Sequence, residues 1–240
     1  MIKDALQYLH GLARPPIVEA DGRQYSSYTL NPVATPKPEP LKLTTLTGLI
    51  DYIDSKIDED EIVSSMIHVE SPDTVRLITR IIDQWMTRRC FAVVNLQGEQ
   101  FRFGQFMPVE DFIIGVNARF QTTQDRETML ALVGNLTEAS SRDLQDDGIT
   151  QRTTIKKGIT RVSETEVKNR VNLRPYRTFT EIGEQPESEF VFRLRPGRDG
   201  ELPTVALFEA DGGAWKSDAI AGVARWIKEH ITDKSISVIA

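Results

Sequence analysis

The C-terminal part of the chain combines a strand, a glycine turn and an amphipathic helix without a linker between them. Residues 205–208 are apolar and predict a buried strand, and Gly212-Gly213 provides the backbone freedom for a sharp turn. From Trp215 onward, apolar residues recur at spacings of three and four, at Ala219, Ile220, Val223, Trp226, Ile227 and Ile231. A stripe of this kind must pack on an apolar surface, so the pattern predicts that the helix packs on the strand that precedes it.

Two acidic residues, Glu209 and Asp211, occupy the turn between this strand and this helix. Carboxylates are favourable near the positive end of a helix dipole, which gives the pair a structural role. The same pair is also suited to a hard cation, because residues two apart at a strand end point the same way. The alternative hypothesis is therefore a metal-dependent nuclease or phosphoesterase site. Its members would be Asp146, Asp147, Glu209 and Asp211, with Lys156 or Lys216 as the accompanying lysine.

Length and composition bound the class of protein. The 240 residues, 40% of them hydrophobic, suffice for one large domain or two small ones with an ordinary core. The sequence has one cysteine, Cys90, which excludes an intramolecular disulfide. It shows no basic-then-apolar leader and no apolar run of about 18 residues, so we expect a cytoplasmic protein without a membrane partner.

Prolines divide the chain near residue 40. Residues 2–12 have the spacing of a helix. A segment that is neither helix nor central strand follows, and its prolines are Pro32, Pro36, Pro38 and Pro40. We therefore predict an N-terminal helix or arm with a proline-rich linker over residues 1–40, followed by a single domain over residues 41–240.

The remaining sequence alternates between helical and extended patterns. Helical spacing predicts a helix behind Thr44 or Thr45 and another over residues 122–139, in addition to the C-terminal one. Extended patterns predict strands at residues 66–69, 75–81, 90–96, 112–120, 149–155, 167–173, 190–194, 202–208 and 235–240, the last at a sheet edge. Residues 75–81 also fit a helix. Since crossover helices between the later strands are missing, we predict an α+β fold: a mixed, mostly antiparallel sheet with a few flanking helices.

Charge is distributed unevenly along the chain. Residues 149–200 carry a net charge of +4, whereas the rest of the sequence carries −10. This asymmetry is typical of a basic face for nucleic acid or an acidic partner, of subunits that pair basic face to acidic face, or of a solvated strand-rich region. A nucleic-acid-binding protein would present several bases on one sheet face, namely Arg152, Lys156, Lys157, Lys168 and Arg170.

An arginine- and aromatic-rich segment at residues 174–179 is the second binding candidate. Arginine and tyrosine are the side chains that most often anchor protein interfaces. The candidate anchors are Arg174, Tyr176, Arg177 and Phe179. The same segment could equally be a buttressed loop that holds the sheet, and the sequence leaves both readings open.

Motifs with a known chemistry are missing from the sequence: it contains no nucleophile elbow, P-loop, paired CxxC or HExxH. Cys90 lies in an apolar run and is interpreted as a buried structural thiol. His10, His68 and His230 lack neighbouring ligand residues, so we expect no metal site from them and no cofactor.

Six segments after residue 40 follow one another in a specific order: LTTLTGLIDYI, IHVESPDTVRL, FRFGQFMPVEDFIIGVNARF, DDGITQRTTIKKGI, NLRPYRTFTEIGEQPESEFVFRLRP and ALFEADGGAWKSDAI. In this order and pattern the chain resembles the uncharacterised YfdQ-like family of phage and prophage proteins, over residues 41–240. The resemblance implies a phage or prophage origin and an intracellular role, and it favours strands at residues 75–81. It implies no activity and no catalytic residue.

These observations predict a non-enzymatic accessory protein of a phage or prophage that acts by binding in the host cytoplasm. We expect a homo-oligomer, because a C-terminal edge strand and an N-terminal arm can both reach a neighbouring subunit. A host or phage protein is the other candidate partner. The binding residues would be Arg152, Lys156, Lys157, Arg174, Tyr176, Arg177 and Phe179. A nucleic-acid-binding protein of replication or recombination and a metal-dependent hydrolase are the alternatives.

Overall fold

The computed structural model describes residues 2–12, 17–20, 23–26, 38–62, 64–81, 87–137, 141–146, 150–157, 160–195 and 203–240. The chain forms two compact units, Met1–Pro38 and Glu39–Ala240. Pro32 and Pro36 of the predicted linker lie outside the described residues. In the first unit, the described residues form helix α1 (Ile2–Leu12) and an antiparallel hairpin of β1 (Ile17–Ala20) and β2 (Arg23–Ser26). The apolar residues Ile2, Leu6 and Leu9 of α1 are exposed.

The described part of the second unit contains helices and strands in mixed order, as an α+β fold requires. In chain order these are β3 (Leu41–Leu43), α2 (Leu46–Asp54), α3 (Glu59–Ile62), β4 (Ser65–Ser71), β5 (Thr74–Thr79), β6 (Cys90–Asn95), β7 (Met107–Pro108), α4 (Val109–Arg119), α5 (Gln124–Thr137), β8 (Ser141–Asp146), β9 (Thr150–Lys157), β10 (Thr160–Lys168), β11 (Arg170–Leu173), β12 (Ser188–Arg195), β13 (Thr204–Glu209), α6 (Trp215–His230) and β14 (Ser237–Ile239). The α+β prediction is confirmed.

A mixed sheet of five described strands, in the order β14-β4-β5-β6-β3, forms the first layer. Its inner pairs are antiparallel, whereas the edge strands β14 and β3 run parallel to their neighbours. Helices α2 and α6 pack on it and close a core that includes Leu46, Leu49, Ile67, Leu77, Val94, Val223 and Ile227. The predicted C-terminal edge strand is confirmed by β14.

A second, antiparallel sheet has the order β11-β12-β13-β7 among the described residues. Helices α4 and α5 pack against it. Their shared core is rich in phenylalanine and includes Phe101, Phe112, Phe120, Phe190, Phe192, Leu132 and Leu207. A third sheet, β10-β9-β8, is antiparallel, and the chain continues from β10 through Asn169 into β11 of the second sheet.

The helix at the C-terminus does not pack on the strand that precedes it, so this prediction was wrong. Strand β13 contributes to the phenylalanine-rich core, whereas α6 contacts β4, β14 and α2 in the other layer. The turn between them permits the change of layer. Gly212 and Gly213 have φ values of 63° and 84°, which redirect the chain in a way that residues with a side chain rarely permit.

Residues 112–119 form most of helix α4 instead of the strand predicted at residues 112–120, and Phe120 forms an isolated β-bridge with Pro175. The buried residues Val109, Phe112 and Val116 follow spacings of three and four, which place them on one helix face. Pro108 precedes the first turn, where its missing N–H costs nothing. The helical period therefore determined the structure here, although the β-branched content also suited a strand.

Other local predictions are confirmed. Thr45 accepts a hydrogen bond from the Gly48 N–H and caps α2, and Thr123 accepts one from the Arg126 N–H at the start of α5. Strand β5 covers most of residues 75–81, and its buried positions alternate as predicted. Strand β8 was not predicted, because its sequence is almost entirely polar.

Candidate functional site

The segment at residues 174–179 divides into buried and accessible side chains. Arg177 and Phe179 are 3% and 0% exposed, so they cannot serve as surface anchors. Tyr176 is 40% exposed, and Arg174 is half-buried at the surface. Arg177 and Phe179 therefore fit the interpretation of a loop that holds the sheet. Arg174 and Tyr176 remain the candidates for binding a partner.

Arg177 is the centre of a buried cluster between the two helix-bearing layers. Its guanidinium carbon lies 3.8 Å from the ring centroid of Trp215 and 5.4 Å from those of Phe103 and Phe190. It donates hydrogen bonds to the Glu209 carboxylate and the Ser188 hydroxyl. Burial lowers the pKa of Arg177 to about 10, although the charges of Glu209 and Asp211 oppose this shift. The aromatic rings and the carboxylate thus replace water around a cation.

Asp211 organises the turn that leads into α6. Its carboxylate accepts hydrogen bonds from the backbone N–H groups of Gly213 (3.0 Å) and Trp215 (3.4 Å). Burial by itself would raise the pKa of Asp211, but these bonds, the Ser188 hydroxyl and the Arg177 charge lower it. The acidic pair at the end of β13 therefore has the structural role that its position near a helix start favours.

The alternative metal site is not assembled by the residues that the structure describes. Glu209 pairs with Arg177, and Asp211 bonds to the turn. Asp146 ends β8 in the third sheet, while Asp147 lies outside the described residues. Across the described ranges, no group of three His, Cys, Asp or Glu residues is arranged to hold a metal ion.

The loop that carries Arg174 and Tyr176 is held in place by side-chain amides. Gln185 donates to the carbonyls of Phe179 (3.1 Å) and Ile182 (3.0 Å). Gln121 donates to the Gly183 carbonyl (2.7 Å) and accepts a hydrogen bond from the Gln185 N–H (3.0 Å). Gln185 is buried and Gln121 is half-buried, and together their bonds fix the part of the loop between Phe179 and Gln185 before any partner arrives.

Two adjoining cavities, the first of which borders Tyr176, form a surface that we name the Arg119 groove. The first has a volume of about 310 Å³ and is lined by Leu96, Gln97, Gly98, Glu99, Gln100, Ala118, Arg119, Tyr176, Thr178 and Thr180. The second has a volume of about 320 Å³ and is lined by Glu99, Gln100, Phe101, Arg102, Met107, Asp111, Ile114, Gly115 and Arg119. Glu99, Gln100 and Arg119 line both cavities.

Arg119 separates the two halves of the groove. Its Nε donates to the Glu99 carbonyl (3.0 Å) and its Nη2 to the Glu99 carboxylate (3.1 Å). The Arg119 carbonyl in turn accepts a hydrogen bond from the Tyr176 N–H (2.9 Å). The groove therefore offers two partly apolar hollows on either side of an arginine, next to an exposed tyrosine. Such a surface can accept apolar side chains and hydrogen-bond the backbone between them.

Sequence reasoning missed Arg119, because it assigned residues 112–120 to a strand, and it found no signal at Glu99. The helical spacing of Val109, Phe112 and Val116, preceded by Pro108, was the signal that could have revealed the helix. It would have placed Arg119 in the last turn of α4, where a cation is favourable.

Four of the five basic residues considered for nucleic acid belong to the third sheet: Arg152, Lys156 and Lys157 to β9 and Lys168 to β10. In the register, Arg152 is opposite Gln145 and Glu166, and Lys168 is opposite Thr150. Arg170 belongs to a different sheet, where it forms an ion pair with Glu189 (2.5 Å). A single basic sheet face therefore does not include Arg170, and for the other four residues it stays a prediction.

In the described part of the chain, Cys90 and the histidines do not form a cluster. Cys90 is half-buried in β6, which makes it more accessible than predicted. His230 stacks on Trp226 with ring centroids 4.0 Å apart, His68 lies in β4, and His10 lies in α1 of the first unit. Each has a local structural setting, and none belongs to a described metal or catalytic cluster.

Comparison of the chain with protein-family models, with curated proteins and with solved structures finds no match in any of the three. Among the described residues, no helix combines the length and apolarity needed to cross a bilayer.

Proposed function

We propose that this protein is a non-enzymatic accessory protein of a phage or prophage that acts by binding another protein in the host cytoplasm. The Arg119 groove supports this proposal most directly. It combines an exposed tyrosine, a central arginine and two hollows of about 310 and 320 Å³ on one surface. Tyrosine and arginine dominate the binding energy of many protein interfaces.

The rigidity of the groove favours binding over a merely solvated loop. Gln121 and Gln185 hold the loop from within, and Arg119 accepts the Tyr176 N–H with its carbonyl. A surface that is ordered before association loses less conformational entropy when a partner docks. The groove is therefore suited to recognising a segment with apolar side chains that alternate with polar backbone.

Homo-oligomerisation is the second part of the proposal. The two edges of the five-stranded sheet carry short strands with exposed apolar residues, Leu41 in β3 and Ile239 in β14. In the part of the sheet that the structure describes, β3 and β14 are the outermost strands, and such edges favour strand addition from a neighbouring chain. Light scattering at micromolar concentration tests this part, and a monomer at all concentrations would contradict it.

Capture from a host extract tests the groove. The full chain and its Tyr176→Ala variant serve as baits, and we expect the variant to lose a protein that the parent retains. Arg170→Ala is the matched control, because Arg170 is an exposed, ion-paired arginine outside the groove. Identical captured proteins with parent, Tyr176→Ala and Arg119→Ala would overturn the proposal.

A nucleic-acid partner is the second candidate, favoured by the end of the β9–β10 hairpin, where Lys156, Lys157 and Arg161 are adjacent. Retention on heparin and on DNA over a range of salt concentrations separates this candidate from the first. Retention that falls with salt would support it, and absence of retention at low salt would end it.

A further inference from the structure

In the described part of the chain, helices cover one face of the second sheet. The residues on this face, among them Phe190, Phe192 and Leu207, pack with α4 and α5 in the phenylalanine-rich core. Because side chains alternate along a strand, the residues between them point to the opposite side, which we name the outer face. The outward residues of β12 and β13 belong to neither of the two described cores.

An aromatic pair and a cation lie together on the outer face. Phe208 is an outward residue of β13, and Phe106 directly precedes β7. The centroids of these two rings are 6.0 Å apart, and the ring planes are inclined by 66°. The guanidinium carbon of Arg195 lies 3.9 Å from the Phe106 centroid. Both rings are half-buried, so each keeps an accessible part.

Arg195 reaches Phe106 across a neighbouring strand. It is the last residue of β12, whereas Phe106 adjoins β7, and β13 lies between these two strands in the sheet. The small outward residue Ala206 of β13 is fully buried, as expected beneath a side chain that crosses the strand. The guanidinium plane is therefore held against a ring at the surface before any ligand binds.

The hydrogen-bond donors of Arg195 are available to a ligand. Arg195 is exposed, and within the described ranges its guanidinium takes part in no hydrogen bond or ion pair. The charged residues at outward positions of β11, β12 and β13 are Arg170, Glu189, Arg193 and Arg195. Glu189 pairs with Arg170 (2.5 Å). These strands therefore give the outer face an excess of positive charge.

A ligand that matches this surface is both planar and anionic. Aromatic rings and guanidinium planes stack on planar groups, and guanidinium N–H groups bind phosphate oxygens in pairs. Single-stranded nucleic acid offers both features, because its unpaired bases expose their faces beside each phosphate. A duplex hides the faces of its bases, and an acidic polypeptide supplies carboxylates without a planar group beside each. The chemistry of the outer face thus favours a single strand.

We propose that the outer face of the second sheet binds single-stranded nucleic acid. Bases stack on Phe106, Phe208 and the guanidinium plane of Arg195, and phosphates contact Arg193 and Arg195. This inference goes beyond the proposed function, because it assigns nucleic acid to a surface of its own. The Arg119 groove and the β9–β10 hairpin contribute no residue to this surface, so each can be tested separately.

Fluorescence anisotropy with labelled oligonucleotides tests the proposal. The probes are an oligothymidylate of about 20 nucleotides and a duplex of about 20 base pairs, a length that spans one binding surface. We expect the full chain to bind the single strand about tenfold or more tightly than the duplex, since only unpaired bases can stack. Phe208→Leu and Arg195→Gln should each raise the dissociation constant for the single strand by about tenfold or more.

Two matched controls lie in the first layer. Phe91→Leu shortens a half-buried ring of β6, and Arg225→Gln removes an exposed arginine of α6. Each should change the dissociation constant by less than about threefold, because a charge or ring outside the surface makes no contact with the strand. Circular dichroism verifies that every variant is folded.

Salt dependence separates stacking from phosphate contact. Arg195→Gln should reduce the magnitude of the slope of log affinity against log salt concentration by about 0.7, the value for one phosphate contact of a single strand. Phe208→Leu should leave the slope unchanged, because it removes a ring and no charge. A purely structural role of either residue would not produce this difference.

Photocrosslinking tests the parent chain itself and does not depend on the folding of a variant. An oligothymidylate in which some bases are replaced by 5-iodouracil is irradiated with the full chain, and mass spectrometry identifies the attached peptide. We expect attachment at Phe106 or Phe208, the rings on which the bases stack.

Several outcomes would overturn the proposal. These are no binding of the single strand at low salt, equal affinity for the duplex, or parent-like binding by both Phe208→Leu and Arg195→Gln. Attachment only to peptides of the β9–β10 hairpin would assign nucleic acid to that hairpin and overturn it too. Displacement of the probe by polyglutamate as effectively as by unlabelled oligothymidylate would assign the outer face to an acidic protein. The Arg119 groove would stand or fall separately, by the capture experiment with Tyr176→Ala.

Discussion

The guanidinium group of Arg177 lies over the indole ring of Trp215, with 3.8 Å between the guanidinium carbon and the ring centroid. Arg177 belongs to the loop after β11, and Trp215 is the first residue of α6. The same arginine also contacts Phe190 in the phenylalanine-rich core. One cation therefore connects a surface loop, the second layer and the helix that seals the first layer.

Replacing Arg177 by Met should lower the free energy of unfolding by about 2 to 4 kcal/mol, because Glu209 and Ser188 lose their donor and the rings lose a cation. Urea unfolding followed by tryptophan fluorescence measures the change. Arg174→Met removes surface ion pairs with Glu184 and Glu187 and should cost less than about 1 kcal/mol. Equal losses in the two variants would contradict the role assigned to Arg177.

Gly115→Ala should destabilise the protein by about 1 to 3 kcal/mol, since overpacking outweighs the gain in helix propensity. A Cβ at this position would lie 3.0 Å from a ring carbon of Phe101, which is itself buried. Gly134→Ala in α5 is the control, because a Cβ there meets no atom within 4 Å. Thermal unfolding should show a lower midpoint for the first variant and an unchanged or higher midpoint for the second.

The phenol of Tyr52 should ionise at a higher pH than that of an ordinary tyrosine. Burial and the hydrogen bond to Asp58 (2.6 Å) raise its pKa from 10.0 to about 12. The folded state therefore holds this proton more tightly, and the resulting stabilisation is complete below pH 10 and lost as the pH rises towards 12. Absorbance titration should show a phenol that ionises with this raised pKa. Asp58→Asn should move it part of the way back, and Asp60→Asn should not move it.

Asp211 should make stability sensitive to acid. Its pKa lies below the ordinary value of 3.8, so its contribution is complete above that pH and is lost as the pH falls through the lower, folded-state pKa. Asp211→Asn should flatten this part of the curve of unfolding free energy against pH. Asp218→Asn, a change in the first turn of the same helix, should leave the curve steep. A curve that is equally steep for parent and Asp211→Asn would contradict this role.

Local patterns predicted much of the fold. The stripe of α6, the cap at Thr45 and the alternation of Val75 and Leu77 in β5 each depend on neighbours within one element. Where two periods suited the same residues, as in α4, packing of Phe112 and Val116 against the second sheet decided the outcome. The resemblance to a phage family stays a prediction, because no comparison tests it.

The site was less predictable, because it depends on distant parts of the chain. Nothing in the spacing of residues 174–179 reveals that Arg177 is enclosed by Trp215 and Phe190, or that Tyr176 borders the last turn of α4. The choice of layer for α6 is likewise a long-range property. A strand and a helix joined by a glycine turn can pack on each other or on different layers. The surrounding cores select between these two arrangements.

The five-stranded sheet obtains its edge strand β14 and its covering helix α6 from the last part of the chain, whereas β3 to β6 come from residues 41–95. During synthesis, these strands therefore have only α2 to cover them until residues 215–239 have also left the ribosome. A messenger truncated before the codon for Trp215 would release a product in which part of the apolar face is open. Such a product is a substrate for chaperones and proteases, so a lasting protein requires translation through β14.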